Sequence, residues 1–122
     1  MELMMMRGRI NNMNKKPTNK KINEVLDTLS SSYCLKVIDK EWCIYRDLNS
    51  GYDIEISGLN NRRQKLNIIV YVWRVKDDFK TVEMVRGIKS AWQLRQVLNK
   101  IEWHYKDDIY PLPSLYEKGE VL

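Results

Sequence analysis

The sequence predicts an α+β fold: a helix, about five mainly antiparallel strands and a C-terminal helix, preceded by a disordered basic arm. Three observations carry this expectation. Two separate stretches place apolar residues at i, i+3, i+4 and i+7, the stripe of an amphipathic helix. Between them lie short runs rich in β-branched and aromatic residues, divided by Asn, Asp and Gly turn signals. The net charge of +5 is concentrated at the start of the chain. A length of 122 residues suits one core, so the expected organisation is an arm over 1–17, one domain over 18–105 and an extended strap over 106–122.

The arm holds Arg7, Arg9, Lys15 and Lys16, and Lys20 and Lys21 follow at the start of the domain, against Glu2 alone. From residue 22 onward acidic and basic side chains balance. Asn11, Asn12, Asn14, Pro17 and Asn19 disfavour regular structure and offer little to bury. A cationic leader of this kind suits a polyanionic partner, since each neutralised phosphate releases counterions. Its plainer role is a solvated tail.

The first helix is read from Ile22, Val25, Leu26 and Leu29, with Thr18 or Asn19 as cap and Ser30, Ser31 and Ser32 as its end. Tyr33 to Ile38 and Trp42 to Leu48 read as strands around an Asp39-Lys40-Glu41 turn. After Asn49-Ser50-Gly51, residues Tyr52, Ile54 and Ile56 alternate with Asp53, Glu55 and Ser57, the period of a strand with one wet face. Gly58 to Gln64 is a polar loop. Leu66 to Val75 is apolar on both faces and is expected at the centre, covered on both sides. Lys76 to Lys80 turns into a strand over Thr81 to Ile88, with Gly87 at a bulge or a close backbone approach. Ser90 caps a final helix striped by Leu94, Val97, Leu98 and Ile101. Beyond Tyr105 the period is lost, and Ile109, Tyr110, Leu112, Leu115 and Tyr116 are expected to dock on the domain itself, with a partner as the alternative.

Catalytic motifs are sparse, and the expectation is a non-enzymatic protein without metal or cofactor. One His and two Cys leave the usual nitrogen and sulfur sites short of ligands. His104 has carboxylates nearby in Glu102, Asp107 and Asp108 but no nucleophile motif, so it reads as a helix-end residue facing the C-terminal dipole. Asp53 and Glu55 share a strand face and could hold a divalent ion; a nuclease pattern would add a lysine at position 57, which is Ser57. A solvated strand face is the reading preferred for them. A hairpin centred between Ile38 and Asp39 would set Cys34 opposite Cys43; a reducing cytosol favours two buried thiols over a disulfide.

The loop Asn60-Asn61-Arg62-Arg63-Gln64-Lys65 is the second basic cluster, fit for phosphate contacts or for edge-strand protection. Trp42, Tyr45, Tyr71 and Trp73 could stack on bases if a sheet face were open, although core positions are expected for most. The longest apolar run, Ile68 to Trp73, is too short for a membrane span. Leu3 to Met6, followed by Arg7-Gly8-Arg9, is too short for a secretory signal. A cytoplasmic location follows as an expectation, in a host cell if the chain is phage-encoded.

A basic arm, a helix, the strand Tyr52-Asp53-Ile54-Glu55-Ile56-Ser57, a polar loop, the apolar strand Leu66 to Trp73 and an amphipathic terminal helix follow in that order. In this layout, over residues 7–105, the chain resembles small anti-CRISPR proteins of phages and mobile elements. The resemblance implies a non-enzymatic inhibitor of a nucleoprotein, such as an RNA-guided effector nuclease. It transfers no site residues, so Arg7, Arg9, Lys15, Lys16, Lys20, Lys21, Arg62, Arg63 and Lys65 are candidates for nucleic-acid or partner contact on charge alone. The other readings are a direct DNA- or RNA-binding regulator and a protein-interaction module working through the strap.

Overall fold

The computed structural model describes residues 20–60, 65–76, 79–107, 112–116 and 120–121. Helix α1 (Lys20–Asp27) is followed by strands β1 (Cys34–Ile38), β2 (Glu41–Asp47), β3 (Tyr52–Ser57), β4 (Ile68–Arg74) and β5 (Lys80–Ile88). Helix α2 (Ala91–His104) comes next, and β6 (Glu120–Val121) ends the order. Strands β1 to β5 form an antiparallel meander in sequence order. The expected α+β architecture is therefore present. The addition is β6, which lies parallel to β5 and converts the end of the strap into a sixth strand.

Local chemistry sets the turns. The β1–β2 hairpin closes through Asp39 and Lys40, both at positive φ (51° and 68°), which is the backbone of a two-residue primed turn. That turn pairs Ile38 with Glu41, so Cys34 faces Tyr45 and Cys43 faces Lys36. The expected Cys34–Cys43 opposition is thus corrected by one residue of hairpin centre, and both thiols are free. Gly87 (φ 78°) sits where β5 carries one more residue than β4 between the pairs Ile68–Ile88 and Val70–Val85, as expected of a bulge.

The core lies on one side of the sheet. Ile22, Val25 and Leu26 of α1 and Leu94, Val97, Leu98 and Ile101 of α2 join Leu35, Ile44, Ile54, Ile56, Val70, Val72 and Val85 in one apolar cluster. Ser90 caps α2 by accepting from the Gln93 N–H at 3.1 Å, while the Gln93 side chain accepts from the Lys89 N–H at 2.7 Å. Expected caps Thr18 and Asn19 lie outside the described residues. On the helix side of the sheet, Arg46 donates to Glu102 at 2.9 Å and the Tyr33 hydroxyl donates to the same carboxylate oxygen at 2.5 Å. Burial, then the Glu102 hydrogen bond, push the Tyr33 phenol well above its ordinary range.

The strap docks on its own domain. Glu83 is buried completely within β5, and its carboxylate accepts from the Tyr105 hydroxyl (2.7 Å), the Ser114 hydroxyl (3.0 Å), the Tyr116 N–H (3.0 Å) and the Leu115 N–H. Leu112, Leu115 and Tyr116 pack against the core. His104 adds a 2.7 Å bond between its Nε2 and the Pro113 carbonyl, so this helix-end residue ties the strap to α2. Ile109 and Tyr110 lie outside the described residues.

Candidate nucleic-acid interface

Both described helices use the same sheet face, which leaves the other without a helical cover. Strand β4 is central, as expected, but among the described residues only one of its faces carries helices. Across the second face runs a row of paired positions, Cys34, Tyr45, Glu55, Tyr71 and Met84, beside a row of Asp47, Asp53 and Trp73. Asp53 and Glu55 were expected in solvent, yet each is 7% exposed. Neighbouring aromatic side chains replace the missing helix and roof over them. The Tyr45 hydroxyl donates to Asp53, and Trp73 Nε1 donates to Glu55 at 3.0 Å. Ser57 Oγ donates to the other Glu55 oxygen at 2.7 Å, and Phe79 stacks on Trp73 at 5.4 Å between ring centroids.

This face is unsuited to stacking nucleic-acid bases. Its centre holds two carboxylates, with Asp47 paired opposite Asp53, and negative charge there repels phosphates. The Tyr45 hydroxyl and the Trp73 indole N–H are already engaged. Trp42 lies elsewhere, packed against the core on the helix side. Among the described residues no group of three or more His, Cys, Asp or Glu is arranged to hold a metal ion.

Desolvation raises the Asp53 carboxyl above its ordinary range; the Tyr45 hydrogen bond opposes this and the nearby Asp47 charge adds to it. One Asp53 oxygen, Oδ1, is buried without a partner. The native state therefore holds this proton more tightly than the unfolded chain does. Stability contributed at Asp53 is undiminished below the unfolded value near pH 4 and is lost as pH rises through the higher folded value. Asp53→Asn keeps an acceptor for Tyr45 and removes the titration. Its thermal midpoint, relative to the parent, is expected to climb as pH is raised above about 4. A difference that stays flat with pH contradicts the assigned sign.

The described positive candidates, Lys20, Lys21 and Lys65, lie at one end of the domain. Lys21 Nζ, in the first turn of α1, donates to the Lys65 carbonyl at 3.3 Å. This contact joins the start of α1, where the arm arrives, to the far end of the 58–67 loop. The near end of that loop is fixed by Gly58 at φ 87°, by buried Leu59, and by the Asn60 side chain. Asn60 Oδ1 accepts from the Trp42 N–H at 3.1 Å and its Nδ2 donates to the Trp42 carbonyl at 2.7 Å. Because Ile68 pairs with Ile88, the residues flanking them also meet: Lys65, Leu66, Lys89, Ser90 and Ala91 line an open groove of about 440 Å³. Lys65 and Lys89 are exposed there, and Lys20, next to Lys21 on α1, is exposed as well. The structure thus brings Lys20, Lys21 and Lys65 together and adds Lys89. Arg7, Arg9, Lys15, Lys16, Arg62 and Arg63 lie outside the described residues.

Lys89 escaped the charge-run reading because it stands between a strand and a helix cap, with no basic neighbour in sequence. Only the β4–β5 register places it beside Lys65. Among the described residues no helix is long and apolar enough to cross a membrane. Comparison of the chain with protein-family models, curated proteins and solved structures gives no match.

Proposed function

We propose that this chain is a non-enzymatic binding protein for a polyanionic partner, a nucleoprotein or its nucleic acid, acting in the cytoplasm. The observation that carries the reading is the Lys21–Lys65 contact, which sets the first-turn lysines of α1 beside the far end of the basic loop. Clustered positive charge steers a polyanion from a distance, and the folded body supplies discrimination at contact. The strap, held by Glu83 and the core, supports this reading over one in which a free strap captures a protein partner. The order of elements supports an RNA-guided effector nuclease as the particular nucleoprotein, inhibited by occupation of its nucleic-acid channel.

Salt dependence tests the mechanism. If about six basic groups meet phosphates, log affinity is expected to fall with log salt at a slope of about −4 to −5. Replacing Arg7, Arg9, Lys15 and Lys16 with Gln in the full chain should flatten that slope by about 3. A further Lys20→Gln, Lys21→Gln, Lys65→Gln triple should flatten it again, with an unchanged far-ultraviolet spectrum. Gel shift on purified nucleic acid separates a direct regulator from an inhibitor that binds only the assembled nucleoprotein. A complex indifferent to salt defeats both.

A further inference from the structure

The outer face of α2 carries a feature that the basic end does not explain. Every exposed residue of this helix falls on one stripe: Trp92, Arg95, Gln96, Asn99, Lys100 and Trp103. Their spacing of i, i+3/i+4, i+7/i+8 and i+11 aligns them along a single face. Trp92 is 63% exposed and Trp103 is 75% exposed. Two indoles left in water at opposite ends of one stripe do nothing for the core, which α2 serves with Leu94, Val97, Leu98 and Ile101. Eleven residues of helix set them about 16 Å apart along the axis.

The stripe also has a sign. It contains two cations and no carboxylate, since the only acid of α2, Glu102, is turned to Tyr33 and Arg46. Lys89 precedes it at the groove shared with Lys65. Lys106 follows it, lying 4.8 Å from the Trp103 ring centroid and bridged to Asp107 at 2.8 Å. The groove thus links Lys65, and through it Lys21, to Lys89 and to Ala91 at the start of α2. Cations interleaved with exposed aromatic rings and with the amides of Gln96 and Asn99 match a ligand offering phosphates and flat, unpaired bases. A duplex hides its base faces in its own stack, and an acidic protein surface would leave the indoles without flat partners.

We propose that the exposed stripe of α2 is a track for single-stranded nucleic acid, with Trp92 and Trp103 stacking on bases and Arg95 and Lys100 holding the intervening phosphates. This rests on the polyanion-binding reading above and assigns it a strand type and a surface.

The test uses the full chain and a twelve-residue oligothymidylate at 50 mM salt, read by anisotropy of the labelled strand. Binding is expected, with the duplex of the same length bound more weakly. The double variant Trp92→Ala, Trp103→Ala is expected to lose about tenfold or more in affinity at an unchanged thermal midpoint. Phe at both positions should restore most of it, because the stacking surface returns. Arg95→Gln with Lys100→Gln should lower the salt slope by about 1 to 2. Oligothymidylate binding that depends on Lys20, Lys21 and Lys65 but ignores both tryptophans would overturn this track and leave the polyanion reading standing. No binding of the single strand, alongside salt-dependent capture of a nucleoprotein, would do the same. A preference for phosphatidylglycerol vesicles, lost in the Trp92→Ala, Trp103→Ala variant, would overturn the track in favour of a lipid surface.

Discussion

Replacing Glu83 with alanine is expected to destabilise the protein by about 3–5 kcal/mol and to free the strap. The carboxylate is fully buried and collects four donors, from Tyr105, Ser114, Leu115 and Tyr116. Removing it leaves a phenol and two backbone N–H groups facing apolar surroundings, each costing about 1–3 kcal/mol unless water enters. The Tyr105 phenol, raised first by burial and then by its bond to Glu83, loses its acceptor. For a chain of this length the loss corresponds to a fall in thermal midpoint of roughly 12–20 °C. Hydrogen exchange separates this mechanism from a simple cavity. Glu83→Ala should deprotect the Leu115 and Tyr116 amides while β3 and β4 stay protected. Val85→Ala, from the same strand and equally buried, should lower stability without that selective loss. A Glu83→Ala penalty under about 1 kcal/mol would contradict the assigned fastening.

Gly58→Ala is expected to cost at least about 2 kcal/mol and to disturb the basic end as well. The residue sits at φ 87°, where a side chain is strained, and an added Cβ would lie 2.5 Å from the Asn67 carbonyl oxygen. That neighbour is backbone leading directly into β4, so it cannot swing aside. Relief requires movement of the 58–67 loop, and the loop carries Lys65 and its contact with Lys21. A denaturant midpoint lowered together with a flatter salt slope is the expected pair of results. Loss of stability with the parent's salt dependence would show the loop's course to be independent of Gly58.

The element order was legible because each element rests on a local pattern. Ile22, Val25 and Leu26 mark a helix stripe, Ser90 a cap, and Gly87 a bulge, and these signals need no knowledge of distant residues. The burial of Asp53 and Glu55 was not legible. Alternation with Tyr52, Ile54 and Ile56 assigns them to the face opposite the core, and a face without helices ordinarily means water. What encloses them is the cross-strand company of Tyr45, Tyr71 and Trp73, fixed by register. The hairpin register of Cys34 and Cys43 turned on a single residue of turn position, a difference that composition does not resolve.

A similar division holds for the candidate site. Charge runs in the chain pointed to Lys20, Lys21 and Lys65, since clustering along the backbone is visible in one dimension. Their adjacency, the recruitment of Lys89, and the exposure of Trp92 and Trp103 depend on how strands pair and which helix face is spent on the core. Periodicity is a property of neighbours a few residues apart, and it sufficed for helices, strands and the sign of the charged segments. A surface is assembled from segments dozens of residues apart, whose meeting is set by sheet order and packing.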